Sequence, residues 1–330
     1  MNWGDILVNA VIAATGPTAV AYVISGLGLN LQFGYAGLLN FGHVAFMLVG
    51  AYGTAITVDA GGSLWIGVPV GTLAAVGLGL LLGVPTLRLR AEYLAITTIA
   101  AAEVLRLYVR SSWATQFTGG VFGIQGFADE FFVLSPLQSS TVYRVGSFAM
   151  TGRRLWVILV GWILAAVLVF LVRRVINSPW GRLLKSIRED EDAARSLGKH
   201  AFAIKLQALT LGGALGGLAG ALMAVEQQNV SPDSFLPQVT FILFVVVILG
   251  GAGTIWGPVI GAVSFQFLFY FLDSVMRQAQ SNVSWVSALI SSAGAAQVRF
   301  VLVGFGLMAL LVFRPQGMLG SRREAVVGGV

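Results

Sequence analysis

The stretch LWIGVPVGTLAAVGLGLLLGV, residues 64–84, contains no charged side chain and a single hydroxyl group. A helix needs about 20 mostly apolar residues to cross roughly 30 Å of hydrocarbon, so this stretch is long enough to span a bilayer. Residues 156–172 are also uncharged and approach that length. The sequence therefore predicts a protein whose solvent is largely lipid.

The composition of the whole chain supports a membrane protein. Of 330 residues, 57% are hydrophobic and 10% are charged, whereas soluble domains carry about 25% charged residues. The 42 glycines fit helices that pack closely through small residues. The chain has no cysteine and two histidines, which excludes thiol chemistry and makes a metal site unexpected. The net charge of +6 lies mostly in short segments beside apolar runs, which indicates topology and not nucleic-acid binding.

We expect an all-α, polytopic transmembrane bundle of about eight to ten spans, some of them broken or re-entrant at glycines, in one domain over residues 1–330. The candidate spans are residues 6–31, 35–58, 64–84, 93–109, 156–172, 206–225, 239–250, 258–272 and 298–313, with a weaker one at 283–296.

Basic residues set the predicted orientation, because Lys and Arg are enriched in cytoplasmic loops. Residues 173–205 hold eight of the twenty basic residues, and further arginines lie at 88, 90, 314, 322 and 323. These three regions are predicted to be cytoplasmic, which places a loop at about residues 111–153 on the outer face.

Two spans broken by glycines are the candidates for the substrate pathway. Irregular backbone survives at membrane depth only where protein or a watery cavity satisfies its polar groups, and such helix ends can bind charged groups of a zwitterion. The two breaks resemble each other, which either reflects an internal repeat or arises by chance. His43 is a ligand in one interpretation and a packing residue in the other. The candidate residues are Gly34, Gly37, Asn40, Gly42, His43, Gly250, Gly251, Gly253, Trp256 and Gly257.

The most polar segment, residues 178–205, predicts short amphipathic helices. Pro179 suits a helix start, apolar residues recur at helical spacing, and Gly198 suits a helix end. Such helices either dock on a cytoplasmic partner or lie on lipid headgroups. The spacing alone does not separate these interpretations.

Small residues recur every fourth position after this loop, at Ala208, Gly212, Gly216, Gly220 and Ala224. They predict a close helix contact that is either static packing or a moving interface. Glu103 and Arg106 are intramembrane charges three residues apart, which either pair with each other or serve function.

The sequence contains no P-loop, so nucleotide chemistry is not expected from this chain. Proton-relay chains of carboxylates and histidines are also missing from the apolar runs. An external energy source is favoured. The alternative is a stand-alone secondary transporter or channel for small polar solutes.

The sequence resembles the branched-chain amino acid ABC transporter permease family, in particular its LivM-like members. Four stretches carry the resemblance: GLGLNLQFGYAGLLNFGHVAFMLVGAY from Gly26, LRLRAEYLAITTIAAAEVLRL from Leu87, GRLLKSIREDEDAARSLGKHAFAIKLQAL from Gly181 and ILGGAGTIWGPVIGA from Ile248. The motif Arg314-Pro-Gln-Gly317 is similar to the family's C-terminal signature.

The resemblance implies a multi-pass permease subunit in the bacterial inner membrane. Its implied partners are a second, LivH-like permease, two cytoplasmic ATPase subunits that use ATP and Mg, and a periplasmic or lipoprotein binding protein. Family substrates include leucine, isoleucine and valine, and relatives handle urea or short amides. The polar loop would then couple transport to the ATPases through Arg182, Lys185, Arg188, Glu189, Asp190, Glu191, Ala193, Ala194 and Gly198.

Overall fold

The computed structural model describes residues 3–138, 141–145 and 148–282, with residue 301, residues 304–305 and residues 316–320. The first half is built from helices joined by short turns. In chain order these are α1 (Trp3–Ala14), α2 (Pro17–Leu29) continued by a π-helical turn (Asn30–Tyr35), α3 (His43–Asp59), α4 (Leu64–Thr86) and α5 (Ala91–Arg110).

A folded segment joins the two halves, where the sequence predicts an outer loop. It contains a 3-10 turn (Ser112–Ala114), α6 (Thr115–Thr118), β1 (Ile124–Gln125), α7 (Asp129–Val133) and a hairpin of β2 (Val142–Val145) and β3 (Phe148–Thr151). The carboxylate of Glu130 in α7 accepts hydrogen bonds from the Ser63 hydroxyl and the Leu64 amide, each 2.7 Å long. This segment is therefore anchored on the first turn of α4.

The second half is again helical, and the all-α class predicted from the sequence is confirmed. Its elements are α8 (Gly152–Ile176), α9 (Pro179–Glu189), α10 (Glu191–Ser196), α11 (Ala201–Gln227), β4 (Asn229–Val230), a 3-10 turn (Pro232–Phe235), α12 (Pro237–Gly250) and α13 (Gly257–Asn282). β4 pairs antiparallel with β1, so the end of α11 is tied to the connecting segment.

Four helices of the described residues are long and apolar enough to cross a membrane, namely α4, α8, α11 and the Gly257–Gln278 part of α13. The predicted span at residues 6–31 consists of α1 and α2, bent by 42°. Pro17 starts α2 and holds the preceding Gly16 in an extended conformation, which interrupts the helix. The total of eight to ten spans stays a prediction, because residues 283–296 and most of 298–313 lie outside the described residues.

The row of small residues on α11 lies in its packed face. All five are buried, and α11 packs against α2, α3 and α4. A side chain at Gly212 would collide with the Gly28 carbonyl, and one at Gly220 with the Met47 backbone. The close contact predicted from the spacing is therefore present, and its geometry is that of tight packing.

Candidate functional site

The first predicted break lies between the π-helical turn and α3. Residues 36–42 are not helical, so the span predicted at 35–58 is wrong at its start, and its helix begins at His43. Gly37 adopts a left-handed φ of 69°, which a residue with a side chain rarely adopts. The Leu38 amide donates a hydrogen bond of 2.8 Å to the Gln32 carbonyl. The chain therefore leaves the helical conformation after Tyr35 and resumes it at His43.

The second predicted break joins α12 to α13. α12 ends at Gly250 and α13 begins at Gly257, and Gly251 has a φ of 112°. The amides of Met318 and Leu319 donate to the last carbonyls of α12, at 2.8 and 3.1 Å. The C-terminal segment 316–320 thus caps α12 where the helix itself provides no donors.

The two breaks contact each other through Asn30. Its side-chain oxygen accepts from the Gly253 amide at 2.8 Å, and its amide nitrogen donates to the Thr254 carbonyl at 2.8 Å. Gly34 faces the same junction, where an added methyl group would lie 2.5 Å from the Gly253 nitrogen. The absence of a side chain at Gly34 therefore permits the close approach of the two backbones.

Helix α9 rests on the first break. It begins at Pro179, as predicted, and buries Gly181, Leu184 and Ile187. The guanidinium of Arg188 donates to the Gly34 carbonyl, and Lys185 lies 5.4 Å from the centre of the Tyr35 ring. The polar loop and the first break, which are about 150 residues apart in sequence, thus form one contact.

Helix α10 is held by its own acidic residues. Asp190 is the N-cap, and its carboxylate accepts from the Ala193 amide at 2.9 Å. Glu191 pairs with Arg195 at 2.7 Å and with Lys205 at the start of α11. Ion pairs that include partly buried groups therefore connect α10 to α11.

The remaining predicted coupling residues differ in exposure. Arg182, Glu189 and Ala193 are exposed, whereas Ala194 is buried. Gly198 follows α10 with a left-handed φ of 75°, which confirms the predicted helix end. Leu197 beside it is 78% exposed. The loop thus presents charged, small and apolar groups away from the bundle.

The predicted pathway side chains Asn40 and His43 are fully enclosed. The Asn40 amide donates to the Gln32 side-chain oxygen at 2.9 Å, and His43 Nδ1 lies 3.1 Å from the same oxygen. A neutral His43 with its proton on Nδ1 would donate to this acceptor oxygen. Its Nε2 faces Gly216 and has no hydrogen-bond partner among the described residues. This environment matches the packing interpretation of His43.

Gly42 borders this polar cluster, because its amide donates to the Asn40 side-chain oxygen at 3.0 Å, whereas Trp256 is placed elsewhere. Gly42 approaches the backbone of Thr98 in α5, where a side chain would collide with the Thr98 carbonyl. Trp256 is 53% exposed and lies outside the cluster. The prediction therefore joins residues of three environments: the junction of the breaks, a buried cluster and the surface.

Glu103 and Arg106 pair with each other, as one interpretation predicted. The shortest contact between them is 2.5 Å, and Arg106 is buried. Asp233 in the turn before α12 lies 3.3 Å from Arg106 and 2.6 Å from Arg110. The ion pairs of Asp233 with Arg106 and Arg110 thus connect α5 to the turn that precedes α12.

Asn30 lies at the centre of the junction of the two breaks, and Gln32 lies at the centre of the buried polar cluster. Neither residue was among the predicted site residues. A signal was available, because they are the only carboxamide side chains in the largely apolar residues 17–38. Polar groups at such positions need partners. The partners themselves, Gly253 and Thr254, contribute backbone atoms and leave no such signal.

Comparison with known proteins assigns the chain to a family. A family profile described as branched-chain amino acid transport system / permease component matches residues 12–311. The chain is 32% identical to the high-affinity branched-chain amino acid transport system permease protein LivM of Escherichia coli, and equally identical to that of Salmonella typhimurium. Each match covers 92% of this chain and 68% of the relative.

A more distant relative is the probable branched-chain amino acid transport permease protein LivM of Methanocaldococcus jannaschii, with 28% identity over 91% of each chain. No solved structure matches the chain. The profile match and the two bacterial relatives extend over most of the chain and include the two breaks and the loop that carries α9 and α10. The chain therefore belongs to the branched-chain amino acid transport permease family of multi-pass membrane proteins.

Proposed function

We propose that this chain is one of two permease subunits of an ATP-driven importer in the bacterial inner membrane. Leucine, isoleucine and valine are the proposed substrates, since the relatives named above are branched-chain amino acid permeases. A binding protein would deliver the substrate, and two ATPase subunits would supply energy. This chain would provide the gated path and no nucleotide chemistry.

The observation that carries this proposal is the contact of α9 with the first break. Arg188 holds the Gly34 carbonyl, and Asn30 joins the same turn to the second break. A displacement of α9 by an ATPase would therefore act directly on both breaks. In a two-state gate, a partner can shift the equilibrium only through such differential contacts.

The engaged backbone groups suggest how access alternates. The Gly253 amide already donates to Asn30, and the cationic guanidinium of Arg188 at the Gly34 carbonyl disfavours an ammonium group there in this conformation. Withdrawal of α9 would free the Gly34 carbonyl for an ammonium group. Binding of the substrate ammonium group would thereby depend on the position of α9.

The test is Arg188→Ala in the complete importer, reconstituted in liposomes with its ATPases and binding protein. A hydrogen bond from a charged group contributes about 1.5–3 kcal/mol, so the leucine imported per ATP hydrolysed should fall roughly tenfold or more. The matched control is Arg173→Ala, at the exposed end of α8.

An unchanged ratio of leucine to ATP in Arg188→Ala would refute coupling through this contact. Uptake by the purified chain alone, without an ATPase, would refute the importer itself and favour a secondary transporter. Co-purification of a P-loop ATPase in mild detergent is the expected result.

A further inference from the structure

A cavity of about 440 Å³ opens beside the first break at the end of the bundle that carries α10. Gly37 and Leu38 of the break form part of its wall, and the turn between α4 and α5 forms another part. Glu191 and Arg195 of α10 and Lys205 of α11 close the remainder. The cavity therefore lies between the α4–α5 turn and the polar loop.

The charge of this cavity is strongly positive. Among the residues that the structure describes, its lining contains Arg88, Arg90, Arg195 and Lys205 against the single carboxylate of Glu191. That carboxylate already pairs with Arg195 and Lys205. Arg88 and Arg90 form no ion pair within the described residues, so two guanidinium groups are available to an anion. Arg88 lies 5.9 Å from the centre of the Phe202 ring, which keeps it at the cavity wall.

The cavity also has apolar lining residues, and they adjoin exposed apolar side chains on the surface of α5. Leu87, Leu89 and Leu94 contribute to its lining. One turn further along α5, Ile96 is 64% exposed, and Tyr93 beside it is also exposed. An anion with attached hydrocarbon would place its charge in the cavity and its chains along α5. A soluble anion would leave this apolar surface uncovered.

We propose that the cavity binds the phosphate headgroup of an anionic phospholipid, with Arg88 and Arg90 as its main ligands. Arginine forms paired hydrogen bonds to phosphate oxygens, and basic pockets between helices at the cytoplasmic face suit anionic headgroups. The predicted topology places this end of the bundle on that face. This lipid site does not depend on the ATPase proposal, because its geometry is formed within this chain.

The test is native mass spectrometry of the purified full chain, titrated with phosphatidylglycerol in detergent. Each basic residue near an anionic lipid contributes roughly 1 kcal/mol, so Arg88→Gln with Arg90→Gln should weaken binding of the first lipid about 30-fold, equivalent to ~2 kcal/mol. The control Arg173→Gln with Arg174→Gln removes the same charge from the exposed end of α8 and should bind as the parent. Arg88→Lys with Arg90→Lys keeps the charge but removes the paired hydrogen bonds, so its affinity should lie between those of the parent and the glutamine variant.

Three results would overturn the proposal. Equal weakening in the α8 control would mean that the lipid responds to net charge only. Equal affinity for phosphatidylcholine would exclude recognition of an anionic headgroup. Displacement of phosphatidylglycerol by millimolar inorganic phosphate would identify a site for a soluble anion. A thermal unfolding curve of each variant checks that the fold is intact before binding is compared.

Discussion

Asn30→Ala should separate the two breaks, because Asn30 supplies both hydrogen bonds that join them. Each lost bond costs about 1 kcal/mol, and buried backbone groups left without partners raise the cost to about 1–3 kcal/mol each. We therefore expect a total of about 2–6 kcal/mol for the two bonds, which favours the separated junction by a factor of roughly 30 to 20,000. Asn177→Ala, at the exposed end of α8, is the matched control.

The assay uses the absence of native cysteine, which makes any introduced thiol the only one in the chain. Ala36→Cys places a reporter in the first break, at a position that is 2% exposed. Its labelling by a small thiol reagent in liposomes should be at least tenfold faster with Asn30→Ala than with Asn177→Ala. Labelling rates within twofold of each other would refute the idea that Asn30 holds the breaks together.

Three further predictions follow from local contacts. Asp190→Ala should destabilise α10 by about 0.5–2 kcal/mol, because α10 loses its N-cap, and the polar loop should then be cleaved faster by a protease. Glu189→Lys should leave the loop folded but reduce the coupling of transport to ATP hydrolysis. Gly217→Val should destabilise the bundle by about 1–3 kcal/mol in thermal unfolding, whereas Gly77→Ala, with open space around it, should change stability little. Hydrogen bonds from Ser63 and Leu64 lower the pKa of Glu130 below its usual value. This contact therefore stabilises α7 at pH values above the pKa that Glu130 has in the unfolded chain. The stabilisation is lost as the pH falls through the lower pKa of Glu130 in the folded chain. The protection of the first α4 amides, measured relative to the intrinsic exchange rate at each pH, should therefore fall on acidification, and Glu130→Gln should show the lower protection already at neutral pH.

Local signals in the sequence predicted much of the helical structure. Pro179 and Gly198 mark the start of α9 and the end of α10 because proline suits the first helical turn and glycine the left-handed residue after the last. The spacing of small residues predicted the packed face of α11. α5, in contrast, is not among the helices apolar enough to count as spans. Arg106, in α5, is buried and pairs with the carboxylates of Glu103 and Asp233.

The junction at the candidate site could not be predicted in the same way. The sequence identified both breaks through their glycines, yet it gave no reason to bring residues 34 and 253 together. On the side of the second break the contact uses only backbone groups, the Gly253 amide and the Thr254 carbonyl, and every residue except proline carries both of these groups. At this junction only the polar side chain of Asn30 could be recognised in the sequence as needing a partner, and the sequence does not show which residues that partner contains. The contact between these two distant backbone segments could therefore be found only from the structure.

The dependence on backbone atoms has a consequence for how a gate can move. Side chains can change rotamer individually, but a backbone carbonyl moves only with its segment. Arg188 binds the Gly34 carbonyl and Asn30 binds the Gly253 amide, so a displacement of α9 would move the two segments together. If an ATPase moves α9 as proposed, Arg188→Ala and Asn30→Ala act on one connected element. Their effects on transport should then be less than additive, and strictly additive effects would mean that the two contacts act independently.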